Sequence, residues 1–146
     1  MDLRQALLTA LYNRLTGDAT LQALCGGTVR LIYRMAQPDT QFPYLTQRVT
    51  IEPGTDGSWA FATGTWFLDI WDHQPNASRA LSIRQRVITL MDWYFVHPVD
   101  GEVDTARVDL VRDEDGPTDD PNIFRLMLQW SLHLDRQGEV VAILGR

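Results

Sequence analysis

WAFATGTWFLDIW (59–71), DHQPNAS (72–78) and RALSIRQRVITLMDWY (79–94) run consecutively, and the fold is decided by how they are read. The first piece alternates: Trp59, Phe61, Phe67 and Trp71 fall on one side of an extended chain, and Ala60, Ala62, Trp66, Leu68 and Ile70 fall on the other. Both sides turn apolar towards Trp71, which predicts a strand covered on two faces. Gly64 is a candidate bulge that would exchange the faces midway. The second piece is a polar turn. After Pro75, Asn76 or Ser78 is placed to cap a helix reaching about Phe95. Ala80, Ile83, Val87, Met91 and Tyr94 form its apolar stripe, widened by Leu81, Ile88, Leu90 and Phe95, and His97-Pro98 ends it. Nearly every position in this strand–turn–helix unit has a packing role, and few are left for chemistry.

Working outward, Leu3, Leu7, Leu11 and Leu15 recur at helical spacing, with Ala6, Leu8 and Ala10 beside them, and predict a helix from Asp2 to about Leu15. Asp2 suits its start, and Gly17 suits its end through left-handed geometry. Asp18 caps a short turn over Ala19–Leu24, closed by Gly26-Gly27. Val29–Met35 has strand character and breaks at Gln37-Pro38, and Pro43–Ile51 alternates Leu45, Gln47, Val49 and Ile51 against Tyr44, Thr46, Arg48 and Thr50. The link Glu52–Ser58 carries Pro53, Gly54 and Gly57 and predicts a hairpin. Val103–Arg112 reads as a strand. Ile123–Leu134 has the clearest period of two, with Phe124, Leu126, Leu128, Trp130, Leu132 and Leu134 on one face. Between them DEDGPTDDPN (113–122) predicts a long acidic hairpin tip, and the apolar tail EVVAILGR (139–146) is a candidate edge strand. The order α-β-β-β-α-β-β predicts an α+β fold, a mostly antiparallel sheet packed against two main helices, with residues 1–146 as a single domain.

Composition narrows the function. The chain has 146 residues, a formal net charge of -6 and 13 basic residues, every one an arginine. Without lysine there is no Schiff-base chemistry and no phosphate loop ending in Gly-Lys-Ser/Thr. An acidic chain with scattered arginines is a poor sequence-independent binder of nucleic acid. The densest arginine group, Arg79, Arg84 and Arg86, shares one helix and reads as a solvated face or a partner-binding face. Cys25, the only cysteine, reads more simply as a buried small residue than as a nucleophile, and its solitude suits a reducing cytoplasm. The helical pattern of the N-terminus is not that of a signal peptide, and no apolar run approaches membrane-spanning length.

Candidate chemistry is sparse. His73, His97 and His133 lack metal-ligand spacing, so no metal site is expected. The acids Asp113, Glu114, Asp115, Asp119 and Asp120 do not follow the calcium-loop pattern and read as a solvated loop. Asp69 and Asp72 flank Trp71 in the way of acids that cap or pair with arginines. No GxSxG, GxGxxG or CxxC occurs, so no catalytic residue and no cofactor is expected.

Several features together carry a resemblance: the helix LRQALLTALYNRL (3–15), the turn GDATLQAL (17–24), the strand VRLIYRM (29–35) and Gln41-Phe42-Pro43-Tyr44. To these are added the aromatic strand ending Asp69-Ile70-Trp71, the helix opening after Asn76-Ala77, and the terminal hairpin. In this order they resemble the tail-completion proteins of long-tailed bacteriophages, also called tail terminators or head-to-tail joining proteins. The resemblance implies a homo-oligomeric ring, typically hexameric, at the end of the tail tube in the virion, assembled in the host cytoplasm. The ring would stop tube polymerisation and dock to the head connector. The tube protein and the connector protein would be its partners, with DNA only as cargo passing through the lumen and no membrane. On this reading Trp59, Phe61, Phe67, Trp71, Arg79, Arg84 and Arg86 are the expected protomer interface. The tips carrying Glu52, Asp56, Asp113, Glu114, Asp115, Asp119 and Asp120 are the expected docking loops. The alternatives are another connector component, such as a head-completion or tail-tube-related protein, or a small cytoplasmic α+β ligand-binding domain whose aromatics line a pocket.

Overall fold

Two alternating segments meet at the centre of the molecule. In a computed structural model, which describes residues 3–52, 62–96 and 105–135, the strands containing Trp66 and Trp130 pair antiparallel from Thr63↔His133 to His73↔Ile123. Trp66 stands directly opposite Trp130, both are fully buried, and their ring centroids are 5.5 Å apart. The elements in chain order are α1 (Leu3–Thr16), α2 (Ala19–Leu24), β1 (Leu31–Tyr33), β2 (Tyr44–Glu52), β3 (Thr63–His73), α3 (Ala77–Met91), β4 (Tyr94–Val96), β5 (Thr105–Asp115) and β6 (Ile123–Asp135). They build one six-stranded sheet of order β1-β2-β3-β6-β5-β4, antiparallel except where β1 runs parallel to β2. The α+β class read from the sequence is the one observed.

The helices lie on one face of the sheet. That face collects Leu45 and Val49 of β2, Trp66, Leu68 and Ile70 of β3, and Leu126, Leu128, Leu132 and Leu134 of β6. Against it α1 buries Leu7, Leu11 and Leu15, and α3 buries Ala80, Ile83, Val87 and Met91. A leucine withdrawn from water in this way contributes about 2 kcal/mol. One buried polar pair crosses the core layer, where Trp66 Nε1 donates to Gln47 Oε1 at 3.0 Å.

Five expectations need correction. First, α3 stops at Met91 rather than near Phe95. Trp93 takes φ +64°, its N–H reaches Val108 O at 2.7 Å, and Asp92 Oδ1 accepts from Leu110 N. Tyr94 and Phe95 therefore join β4, where pairing with β5 outcompetes another helical turn. Second, β5 runs through Asp115, so Asp113, Glu114 and Asp115 are strand residues opposite Leu128, Met127 and Leu126, and the loop is confined to 116–122. The register shifts between Leu110 and Arg112, and past Val111 the odd positions face the helices. Third, Gly64 is no bulge, since both of its neighbouring ladders run through it unbroken. Fourth, Gly17 ends α1 without left-handed geometry; a Cβ there would lie 2.9 Å from Asn13 O. Fifth, β3 is not covered on two faces: its second face is open, and Phe67 and Trp71 on it are half-buried. Asp18 caps α2 as expected, its carboxylate accepting from Leu21 N at 2.8 Å, whereas Asn76 precedes α3 without a side-chain capping bond. Asp2, the link with Asp56, Trp59 and Phe61, His97-Pro98 and the tail 139–146 lie outside the described residues.

Gly64 is kept by crowding. A Cβ there would lie 2.8 Å from Thr50 O and 3.4 Å from Leu132 Cδ1. Gly64→Ala should therefore destabilise the fold by about 2 kcal/mol, since the backbone oxygen cannot move aside without disturbing the β2–β3 ladder. A calorimetric melting temperature lowered by several degrees checks it.

Candidate functional site

On β6, Ser131 Oγ lies 3.3 Å from His133 Nε2, and Asp109 Oδ2 of β5 lies 3.2 Å from the same nitrogen. A proton relay needs the acid and the hydroxyl on opposite ring nitrogens. Here one nitrogen faces both, on an exposed strand surface, and Asp109 is also held by Arg107 Nε at 3.1 Å. His73 sits edge-on to Phe42 at 4.8 Å and faces Asn76 Nδ2 at 3.3 Å. Among the described residues no three His, Cys, Asp or Glu side chains converge as metal ligands. Cys25 is fully buried, and burial pushes its thiol up to about 11, so it is a neutral packing group at physiological pH.

The arginines of α3 have work inside the protomer. Arg79 forms a forked pair with Asp72, at 2.8 Å from Nε and 2.6 Å from Nη2; this carboxylate is fully buried and also accepts from His73 N. Arg84 pairs with Asp113 of β5, brought to the helix side by the shift at Val111. Arg86 forks onto Asp18 at 2.9 and 2.7 Å while Asp18 caps α2. One helix is thereby fastened to β3, β5 and the α1–α2 corner. The partners were invisible as pairs in the sequence because Asp113 and Asp18 lie 29 and 68 residues from their arginines.

The open face of the sheet brings other groups together. Arg48 lies over the Phe67 ring at 3.9 Å, and Arg125 lies over Trp71 at 4.9 Å while binding Asp69 at 2.7 Å. Trp71 Nε1 donates to Thr46 Oγ1 at 3.0 Å, and the rings of Phe42, Tyr44 and Trp71 follow one another at 5.3 and 5.9 Å. Phe67 and Trp71 are thus on the face opposite Arg79, Arg84 and Arg86, and the structure does not join the two groups in one patch. Arg34 and Arg48, which sequence reasoning passed over, border two open hollows of about 480 and 100 Å³ at the β1–β2 flank. Both hollows are open to solvent, and the smaller runs onto the open face between Thr46, Phe67, Asp69, Trp71 and Arg125.

The remaining sites lie at the strand ends. The β2–β3 register places Glu52 opposite Thr63 at one end of the sheet, and the loop 116–122 with Asp119 and Asp120 lies at the other, beyond Ile123↔His73. The profile of a family described as tail completion protein gp17 matches residues 9–133. The chain belongs to that family. As a tail completion protein it is a structural protein of the bacteriophage virion. No curated protein matches the chain closely enough to count as a relative. Among solved structures it is similar to a chain of a "Virion of native gene transfer agent (GTA) particle", with a TM-score of 0.73 and 18% identity, covering 89% of this chain and 95% of that one. A second solved structure aligns with a TM-score of 0.63 and 13% identity, over 90% of this chain and 94% of its own. At these identities the two likenesses speak for the fold.

The Asp18–Arg86 fork makes the tail completion protein acid-sensitive in a defined way. The hydrogen bond from Arg86 holds the Asp18 carboxyl below its ordinary range. A depressed folded-state value means that the stabilisation is fully present above the unfolded aspartate value of about 3.9, and is lost as pH falls through the folded value. Asp18→Asn keeps a capping oxygen but removes the charge. Denaturant midpoints from pH 6 downward should fall less steeply for Asp18→Asn than for the wild type.

Proposed function

We propose that this tail completion protein closes the end of the tail tube as a hexameric homo-oligomeric ring, stopping tube polymerisation and offering the docking surface for the head connector. Membership of the tail completion family is the observation that carries this reading. The geometry supports it. Strands of eleven residues such as β3 span roughly 36 Å, with Glu52 at one end and the 116–122 loop at the other. If the strands run along the ring axis, Glu52 and the Asp56 link reach one partner, while Asp119 and Asp120 of the 116–122 loop reach the other. Asp113, Glu114 and Asp115 belong to the rigid strand beneath that second tip. The tube protein and the connector protein are the two partners, and DNA passes as cargo through a lumen of acidic subunits.

Phe67 and Trp71 remain proposed members of the surface between protomers, together with Trp59 and Phe61. Arg79, Arg84 and Arg86, paired with Asp72, Asp113 and Asp18 on the opposite face, would form a separate part of that surface. The role needs no catalytic step.

Electron microscopy of the purified protein should show closed rings of the tail's diameter, and phage lacking the protein should accumulate tubes of uneven, excessive length. Strictly monomeric protein, both at high concentration and in tails, would sink the reading.

A further inference from the structure

Five of the seven large hydrophobic side chains exposed among the described residues sit at the two lateral edges of the sheet. Tyr33 (47%) and Met35 (81%) flank β1, while Trp93 (66%), Phe95 (51%) and Val111 (60%) flank β4 and β5. The charge divides the same way. Arg34 and Arg48, at the β1–β2 flank, lie over the Tyr33 and Phe67 rings and form no ion pair among the described residues. At the opposite flank β5 carries Glu114 and Asp115 beyond Asp113, which Arg84 holds, with Asp92 beside it at the end of α3 and Arg107 over the Trp93 ring at 5.0 Å. Glu114 has only a loose contact with Arg112 at 3.7 Å.

We propose that the β4–β5 edge of one copy of this chain docks on the β1–β2 edge of a second copy, with Trp93, Phe95 and Val111 meeting Tyr33 and Met35, and with Glu114 and Asp115 meeting Arg34 and Arg48. The proposal rests on the ring reading and names the surfaces that close it. A ring requires two different patches on each subunit, placed so that one finds the other on its neighbour. Opposite edges of one sheet satisfy this, and they leave both strand-end tips clear for the tube and the connector. The apolar groups supply the affinity. Exposed ion pairs add little individually but fix register and exclude self-pairing of like edges. Phe67, under Arg48, continues the basic patch onto the open face.

The test uses two charge-reversed full-length variants, R34E/R48E and E114R/D115R, assayed by native mass spectrometry and sedimentation velocity. Wild type should form rings that weaken with salt. Each variant alone should need at least tenfold more protein to assemble, while circular dichroism stays that of the folded chain. Mixed in equal amounts the two should recover alternating rings, because each reversed edge then meets its complement; a folding defect would not be rescued by mixing. A variant that fails to fold is replaced by Met35→Glu or Trp93→Gly. The latter relaxes a positive φ while removing the apolar contact, so loss of rings from a folded Trp93→Gly protein also supports the docking. Wild-type rings with unaffected variants, or variants that mixing leaves dissociated, would overturn the edge assignment alone. A wild type that never forms rings would overturn the ring reading with it.

Discussion

The antiparallel pairing of β3 with β6 is the constraint on which the remainder of the structure depends. It is continuous over the whole of β3, and it places Trp66 against Trp130 on one face and Trp71 against Arg125 on the other. Because the side-chain period of a strand is two, a slip of one residue would turn the tryptophan of the slipped strand out of the core. Once this register is set, the helix-facing side is the only continuous apolar surface, and α1 and α3 have one place to settle. The three forks and pairs from α3 then fix where along the sheet the helix sits.

The segments dominated by a single period were legible in the sequence. Ile123–Leu134 and Trp66–Ile70 display their faces directly, and Leu3, Leu7, Leu11 and Leu15 mark α1. What escaped was decided by distant partners. Tyr94 and Phe95 continue the helical stripe of α3, and only β5 pulls them into a strand. Asp113, Glu114 and Asp115 have turn-like composition, and only the neighbouring β6 backbone makes them extended. The parallel direction of β1 depends on where the chain crosses after α2, which no local pattern encodes.

The surfaces relevant to assembly were legible in part. Phe67 and Trp71 stand out as aromatics, but the sequence does not say that Arg48 and Arg125 of the same chain lie over them. The arginine cluster of α3 looks like a solvated or partner-facing stripe until Asp72, Asp113 and Asp18 are seen beneath it. Conversely, Arg34 and Arg48 attract no notice as isolated residues in a strand and a turn. Their significance comes from standing at a sheet edge opposite an acidic one.

The irregularity at Val111 has a wider reach than its size suggests. It divides β5 into two halves that obey opposite parities, so Asp109 faces the open side and Asp113 faces α3 along one strand. If the ladder ran through Val111 without the shift, every acid beyond it would move to the other face and Arg84 would lose Asp113, with β6 unchanged. The bulge at this single point therefore acts as a selector of which surface carries the negative charge.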